Sequence, residues 1–291
     1  RHQLVLDFSR EEVVDHIYGM LKKVIGEASI SYIKWDMNRS LTEVFGLDLD
    51  ADEQGMVYHK YVLGVYSLYE RLIDEFPDIL FESCSSGGNR YDAGMLYYAP
   101  QAWCSDNTDA IDRIRIQYGT SYGYPISSIG AHVSAVPNQQ TGRITPIETR
   151  ANVAYFGTFG YELDLNTLSA QELDRVKEQI SFMKEHRRLL QFGTFYRLIS
   201  PFEKDQAAWI VVSKDRKEAI FGFYCLRSNV NRMPGFLKLA GLDEDRIYML
   251  DGAEYYGDEL MHMGVTLSGL CPDGLTTGKD YVSYVKTLRA K

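Results

Sequence analysis

The chain has 291 residues, enough to bury one large core or one large and one small. Hydrophobic residues make up 45% and charged residues 24%, an ordinary balance for a globular protein. The formal net charge of −9 excludes nucleic acid and anionic membrane surfaces as partners, because both need basic patches. No apolar run is long enough to span a bilayer.

In chain order, residues 4–8 read as a strand, and Ser9 with Glu12 three positions on reads as a capping box. The helix it opens runs through Val13, Ile17, Met20, Leu21 and Val24 at helical spacing. Residues 31–35 form a second predicted strand that ends in Asp36. A helix over 56–76 places Tyr61, Val65, Leu68, Leu72 and Ile73 on one side. A third strand, 79–82, runs into the loop Ser85-Ser86-Gly87-Gly88, and a fourth, 102–104, ends in Ser105-Asp106. A helix follows over roughly 108–121. Residues 127–129 lead into Gly130-Ala131-His132 as a fifth strand, and a helix near 146–157 precedes a sixth at 160–163. A long amphipathic pattern over 170–190 closes the series.

This alternation predicts an α/β fold with a parallel sheet and crossover helices. Asp7, Asp36, Glu82, Asp106 and His132 fall at predicted C-terminal strand ends, where a (β/α)₈ barrel of the TIM type builds its active site. No glycine-rich phosphate loop follows any strand, which counts against a doubly wound nucleotide fold. Arg1-His2-Gln3 carries no initiator Met and runs straight into an apolar strand pattern, so the chain is expected to begin mid-fold. An incomplete barrel lacking its first two strands would then occupy 1–194. From about Phe195 strands recur without helices between them, at 207–212, 218–224, 246–250 and 281–286. Asp251-Gly252 and a Gly/Asp-rich stretch near 272–279 supply turns, so 195–291 is predicted to be a small antiparallel β domain.

Two aspartates at the ends of non-adjacent strands can face each other across a barrel axis. Lys34 lies two residues before Asp36, on the same side of the strand, where it would keep the carboxylate ionised. Asn38 offers a donor and an acceptor. A Lys–Asp pair that only holds a loop explains the spacing equally well. Asp106 has Trp103 nearby, which would raise its pKa by desolvation, yet its place before a helix also suits an N-cap. Asp109 is the competing carboxylate and suits the first helical turn better.

Cys84 stands before an amide-rich turn, but thiol catalysis needs a nearby His, and only His132 has a comparable position. The four cysteines, Cys84, Cys104, Cys225 and Cys271, match no zinc or redox spacing and point to a reducing, cytoplasmic compartment. The histidines are scattered, so no metal site is expected. The 21 Tyr and 13 Phe mostly suit a core, with some free to stack on sugar faces.

Three segments together resemble glycoside hydrolase family 36, the large α-galactosidases. Lys34-Trp35-Asp36-Met37-Asn38-Arg39 looks like the family's nucleophile strand. Cys84-Ser85-Ser86-Gly87-Gly88-Asn89-Arg90-Tyr91-Asp92 looks like its substrate loop, and Trp103-Cys104-Ser105-Asp106-Asn107-Thr108-Asp109 like its acid/base segment. The similarity extends over nearly the whole chain, including Ile129-Gly130-Ala131-His132-Val133-Ser134 and the C-terminal β domain.

The resemblance implies that Asp36 is the nucleophile and Asp106 the acid/base, with Lys34, Asn38, Cys84, Gly87 and Trp103 as galactose contacts. It implies retaining hydrolysis of terminal α-galactosides such as melibiose and raffinose, without metal or cofactor. A homo-oligomer is expected for the whole protein. Family members also carry a large N-terminal β domain and barrel strands with an acidic pair, which this sequence does not contain. The alternatives are a transglycosylase of the raffinose- or stachyose-synthase kind, and a non-catalytic carbohydrate-binding fragment.

Overall fold

The computed structural model describes residues 4–228, 235–267 and 279–291. Cys271 and nearly all of the turn stretch expected near 272–279 lie outside the described residues. The chain divides into two compact units, Arg1–Asp106 and Asn107–Lys291.

The first unit alternates helix and strand: α1 (Glu11–Gly26), β1 (Tyr32–Asp36), α2 (Val57–Glu75), β2 (Leu80–Cys84), α3 (Ala93–Tyr98) and β3 (Gln101–Ala102). The three strands form one parallel sheet in the order β1-β2-β3, with α2 and α3 as crossovers. Alternation along β1 sends Ile33 and Trp35 toward the helices and leaves Tyr32, Lys34 and Asp36 on the other face. Tyr61, Val65, Leu68 and Leu72 recur at helical spacing on α2 and are buried. The Trp35 ring lies 4.7 Å from Tyr69, which meets Phe81 edge-on at 5.5 Å, so aromatic contacts join strand to helix.

Residues 4–8 are not a strand. No ladder forms there, and Leu4 is 99% exposed, because an apolar run becomes a strand only beside a partner. The segment docks instead by Phe8, whose carbonyl lies so near Gly64 of α2 that a Cβ there would come within 1.8 Å of it. The expected capping box is also absent. Arg10 is the N-cap of α1, Ser9 donates through its amide and hydroxyl to Asp7, and Glu12 is held by Arg10.

The second unit opens with α4 (Ala110–Thr120), β4 (Gly130–Ser134), α5 (Ile147–Ala154), β5 (Thr158–Glu162) and α6 (Ala170–Phe192), with β4 and β5 parallel. A capping box does form here, between Ser169 and Glu172 at the start of α6. Then come β6 (Thr194–Ile199), β7 (Gln206–Val212), β8 (Glu218–Cys225), β9 (Phe236–Leu237), β10 (Ile247–Leu250), β11 (Ala253–Tyr256), α7 (Gly257–His262), β12 (Val265–Thr266) and β13 (Val282–Ala290). Six of these strands make one antiparallel sheet in the order β11-β10-β13-β8-β7-β6, and β9 pairs with β12. Asp251 and Gly252 both take positive φ, 48° and 83°, and close the two-residue hairpin between β10 and β11 as the sequence predicts.

Strands β7 and β8 are buried on both faces, apart from the first residue of β8. Ile210, Phe221 and Phe223 enter a core with Leu237, Leu239 and Leu260, while Trp209 packs against Phe156 and Tyr224. The fold is thus mixed α/β, with parallel strands joined by helices and a following antiparallel sheet.

Candidate active site

The seven residues expected as catalysts or galactose contacts all lie in the first unit. Register builds two rungs on the polar face of its sheet. Lys34, Glu82 and Gln101 stand opposite one another, and Asp36 pairs with Cys84 one rung further on. Beyond β3 the Trp103 amide donates to the Ser83 carbonyl at 2.9 Å, so Trp103 continues the ladder. Asp36 and Cys84 therefore sit at true strand ends. Glu82 and His132 do not, since they lie within β2 and β4, and Asp7 is on no strand.

Asp36 is a carboxylate surrounded by donors. Partial burial opposes its ionisation, but donation from the Asn38 amide, the Cys84 thiol and the Ser86 and Met37 backbone N–H groups prevails and lowers its pKa. Asn38 Nδ2 reaches Asp36 Oδ2 at 2.8 Å, while its Oδ1 accepts from the Ser86 amide at 2.9 Å. One side chain thus ties the strand end to the Ser85–Gly88 loop. Cys84 is buried, and desolvation pushes its thiol up to about 11, helped by the neighbouring Asp36 carboxylate. It stays protonated and donates, the opposite of what a thiolate nucleophile needs.

The loop is strained where it meets the acid/base segment. Ser86 and Gly87 both have positive φ, 47° and 80°. A Cβ on Gly87 would come within 2.8 Å of Ser105 Cα and 3.1 Å of the Asp106 amide nitrogen. Glycine is needed there twice over, and the close approach sets the Asp106 backbone against the loop that Asn38 holds.

Three expectations change. The helix beyond Asp106 is capped by Asp109, which accepts from the Ile111 and Asp112 amides, so capping is not the task of Asp106. Asp106 itself is exposed, whereas the sequence predicts an apolar setting beside Trp103. Lys34 is drawn to Glu82 at 3.7 Å, and its ammonium stands 4.7 Å over the Trp103 ring. The cause is register, which puts Glu82 directly across from it while Asp36 lies a full repeat along.

Glu82, expected at a strand end, is instead buried beneath this face, and the role of Arg90 went unpredicted. Arg90 donates from Nη2 to the Cys84 carbonyl at 2.9 Å and the Trp35 carbonyl at 3.2 Å, lashing together the ends of β1 and β2. It also lines a cavity of about 330 Å³ with Met37, Tyr58, Tyr66 and Asp92. A second cavity, of about 300 Å³, runs along β1 and includes Lys34 and Asp36. Among the described residues no cluster of His, Cys, Asp and Glu could hold a metal ion, and no helix is long and apolar enough to cross a membrane.

The family model described as Melibiase matches residues 1–193, and that of the glycosyl hydrolase family 36 C-terminal domain matches 206–288. The chain belongs to the melibiases of glycosyl hydrolase family 36. It is 52% identical to α-galactosidase AgaA of Geobacillus stearothermophilus over 92% of this chain and 37% of that protein. It is 49% identical to α-galactosidase Mel36A of Lactobacillus acidophilus over 91% of this chain and 36% of the relative. The crystal structure of AgaA superposes with a TM-score of 0.94 at 49% identity, covering 99% of this chain and 39% of that one. Variants of AgaA have been crystallised with raffinose and with stachyose. The chain therefore spans a little over a third of the length of these relatives.

Proposed function

We propose that this chain supplies the catalytic pair of a retaining α-galactosidase acting on terminal α-galactosyl residues of oligosaccharides such as melibiose and raffinose. Asp36 attacks the anomeric carbon as the glycosidic C–O bond breaks, and Asp106 gives its proton to the departing oxygen. Asp106 then takes a proton from water, whose oxygen attacks the same carbon and frees Asp36 with net retention. Lys34, Asn38, Cys84, Gly87 and Trp103 contact the galactosyl unit. Residues 1–194 belong to a (β/α)₈-type barrel that is incomplete by itself, and 195–291 form its C-terminal β domain. The family ranges 1–193 and 206–288 support this division.

The observation that carries the reading is Asp36 at a strand end, accepting from Asn38 at 2.8 Å with its pKa lowered, beside a glycine loop pressed against Asp106. The AgaA complexes add support. The raffinose and stachyose complexes carry different aspartate substitutions, and those two aspartates are separated by as many residues as Asp36 and Asp106. We also propose that the whole protein self-associates, a reading supported by exposed Phe45 and Leu47 and checked by sedimentation.

The test is azide rescue in the full-length protein. Asp36→Ala should abolish turnover, and azide should yield a galactosyl azide of inverted configuration, attacking from the face Asp36 vacated. Asp106→Ala should still consume substrates with good leaving groups and yield the azide with retention. Opposite stereochemistry in the two variants would exchange the roles, and full activity in either would remove that residue from the mechanism.

A further inference from the structure

Glu82 is a carboxylate that the two-aspartate chemistry does not use, and it is only 3% exposed. Burying a charge is costly unless partners surround it. The Tyr32 hydroxyl and the Gln101 amide (3.0 Å) both donate to its Oε2. Its Oε1 has no hydrogen-bond partner among the described residues and faces the Lys34 ammonium at 3.7 Å. That ammonium also rests 4.7 Å over the Trp103 ring, on the strand face that carries Asp36. A lysine stem has four freely rotating bonds, so its head group keeps one place only when something fixes it.

We propose that Glu82 is a positioning residue that fixes the Lys34 ammonium between its own Oε1 and the Trp103 ring, ready to donate to a galactosyl hydroxyl. Tyr32 and Gln101 hold the carboxylate from behind, leaving one oxygen for the lysine. The inference rests on the proposed function, in which Lys34 contacts the sugar. Its consequence is a ground-state effect: loss of the Glu82 charge frees the lysine and weakens binding more than it slows chemistry.

The test uses the full-length protein with Glu82→Gln, Glu82→Asp, Lys34→Ala and the Glu82→Gln/Lys34→Ala double variant. Glutamine keeps the shape and the contacts to Tyr32 and Gln101 but removes the charge. Glu82→Gln should raise KM for a nitrophenyl α-galactoside about tenfold, the scale of one charge-assisted hydrogen bond, with a smaller change in kcat. In the Lys34→Ala background the same change should add nothing further, because the group it positions is gone. If Glu82→Gln fails to fold, Glu82→Asp carries the test. It keeps the charge but retracts it, and should raise KM less than Lys34→Ala does.

An unchanged KM in the folded Glu82 variant, or penalties that multiply in the double variant, would overturn the proposal. The two failures remain distinct. Turnover that survives Asp36→Ala overturns the proposed function, whereas a dead Asp36→Ala beside an unaffected Glu82 variant overturns this inference alone.

Discussion

Asp36 owes its ionised state to donors rather than to a neighbouring positive charge, and Asn38 is the largest of the opposing influences that overcome its partial burial. Removing that donor in Asn38→Ala should raise the Asp36 pKa and move the acid limb of kcat/KM to higher pH. The sign for stability follows. A depressed folded-state pKa contributes stability above the unfolded value, and that contribution disappears as pH falls through the folded one. Acid melting of Asn38→Ala should therefore lose less between neutral pH and pH ~3 than the parent. An acid limb unmoved in Asn38→Ala would remove Asn38 from this role.

Gly87 belongs to the same scale. Alanine there meets both a φ of 80° and a 2.8 Å contact with Ser105 Cα, so the Ser105-Asp106 backbone must yield. Gly87→Ala should cost about 1–3 kcal/mol in thermal or denaturant unfolding and reduce turnover out of proportion to the folded fraction. Spacing along one segment made Lys34, Asp36 and Asn38 legible together, and only the family resemblance joined Gly87 to them. Spacing could not show which carboxylate Lys34 meets, because Glu82 comes from a different strand and only register brings the two together.

At the scale of elements, the stretch after β3 contains two aspartates with separate tasks. Asp109 is 1% exposed, caps α4, accepts from Thr141 Oγ1 at 2.9 Å and pairs with Arg143. Asp109→Ala should lower stability by roughly 3 kcal/mol, the scale for stripping one partner from a buried ion pair. Asp106→Ala should leave the melting temperature nearly unchanged and remove activity on natural sugars. A large stability loss in Asp106→Ala would make it a structural residue after all.

Strands β1, β2, β4, β7 and β8 could be read from apolar runs and period-two alternation, with ends shifted by a residue or two. The end of β2 moved from Glu82 to Cys84 because a buried glutamate with partners does not stop a strand. Strand β6 was missed because Thr-Phe-Tyr-Arg-Leu-Ile is defined by its antiparallel partner β7, not by a pattern of its own. Residues 4–8 fail for the same reason in reverse, having the pattern without the partner.

For the molecule as a whole, the boundary between compact units falls after Asp106, inside the acid/base segment, where no Gly/Pro-rich linker marks it. Composition therefore could not reveal it. The second unit is organised around Trp209, 1% exposed among Tyr118, Phe156, Phe195 and Tyr224. Trp209→Ala should destabilise that unit by about 3–5 kcal/mol in denaturant unfolding. A loss below about 1 kcal/mol would mean that the site refills by collapse.

The assignment of Asp36 as nucleophile is tested most directly by trapping the intermediate in the full-length protein. A 2-fluoro α-galactosyl substrate with a good leaving group slows breakdown of the glycosyl-enzyme, which can then be digested and sequenced by mass spectrometry. The ester should map to Asp36, in the peptide containing Lys34-Trp35-Asp36-Met37-Asn38. An ester on Asp106 or elsewhere, or turnover with inversion and no covalent adduct, would contradict it.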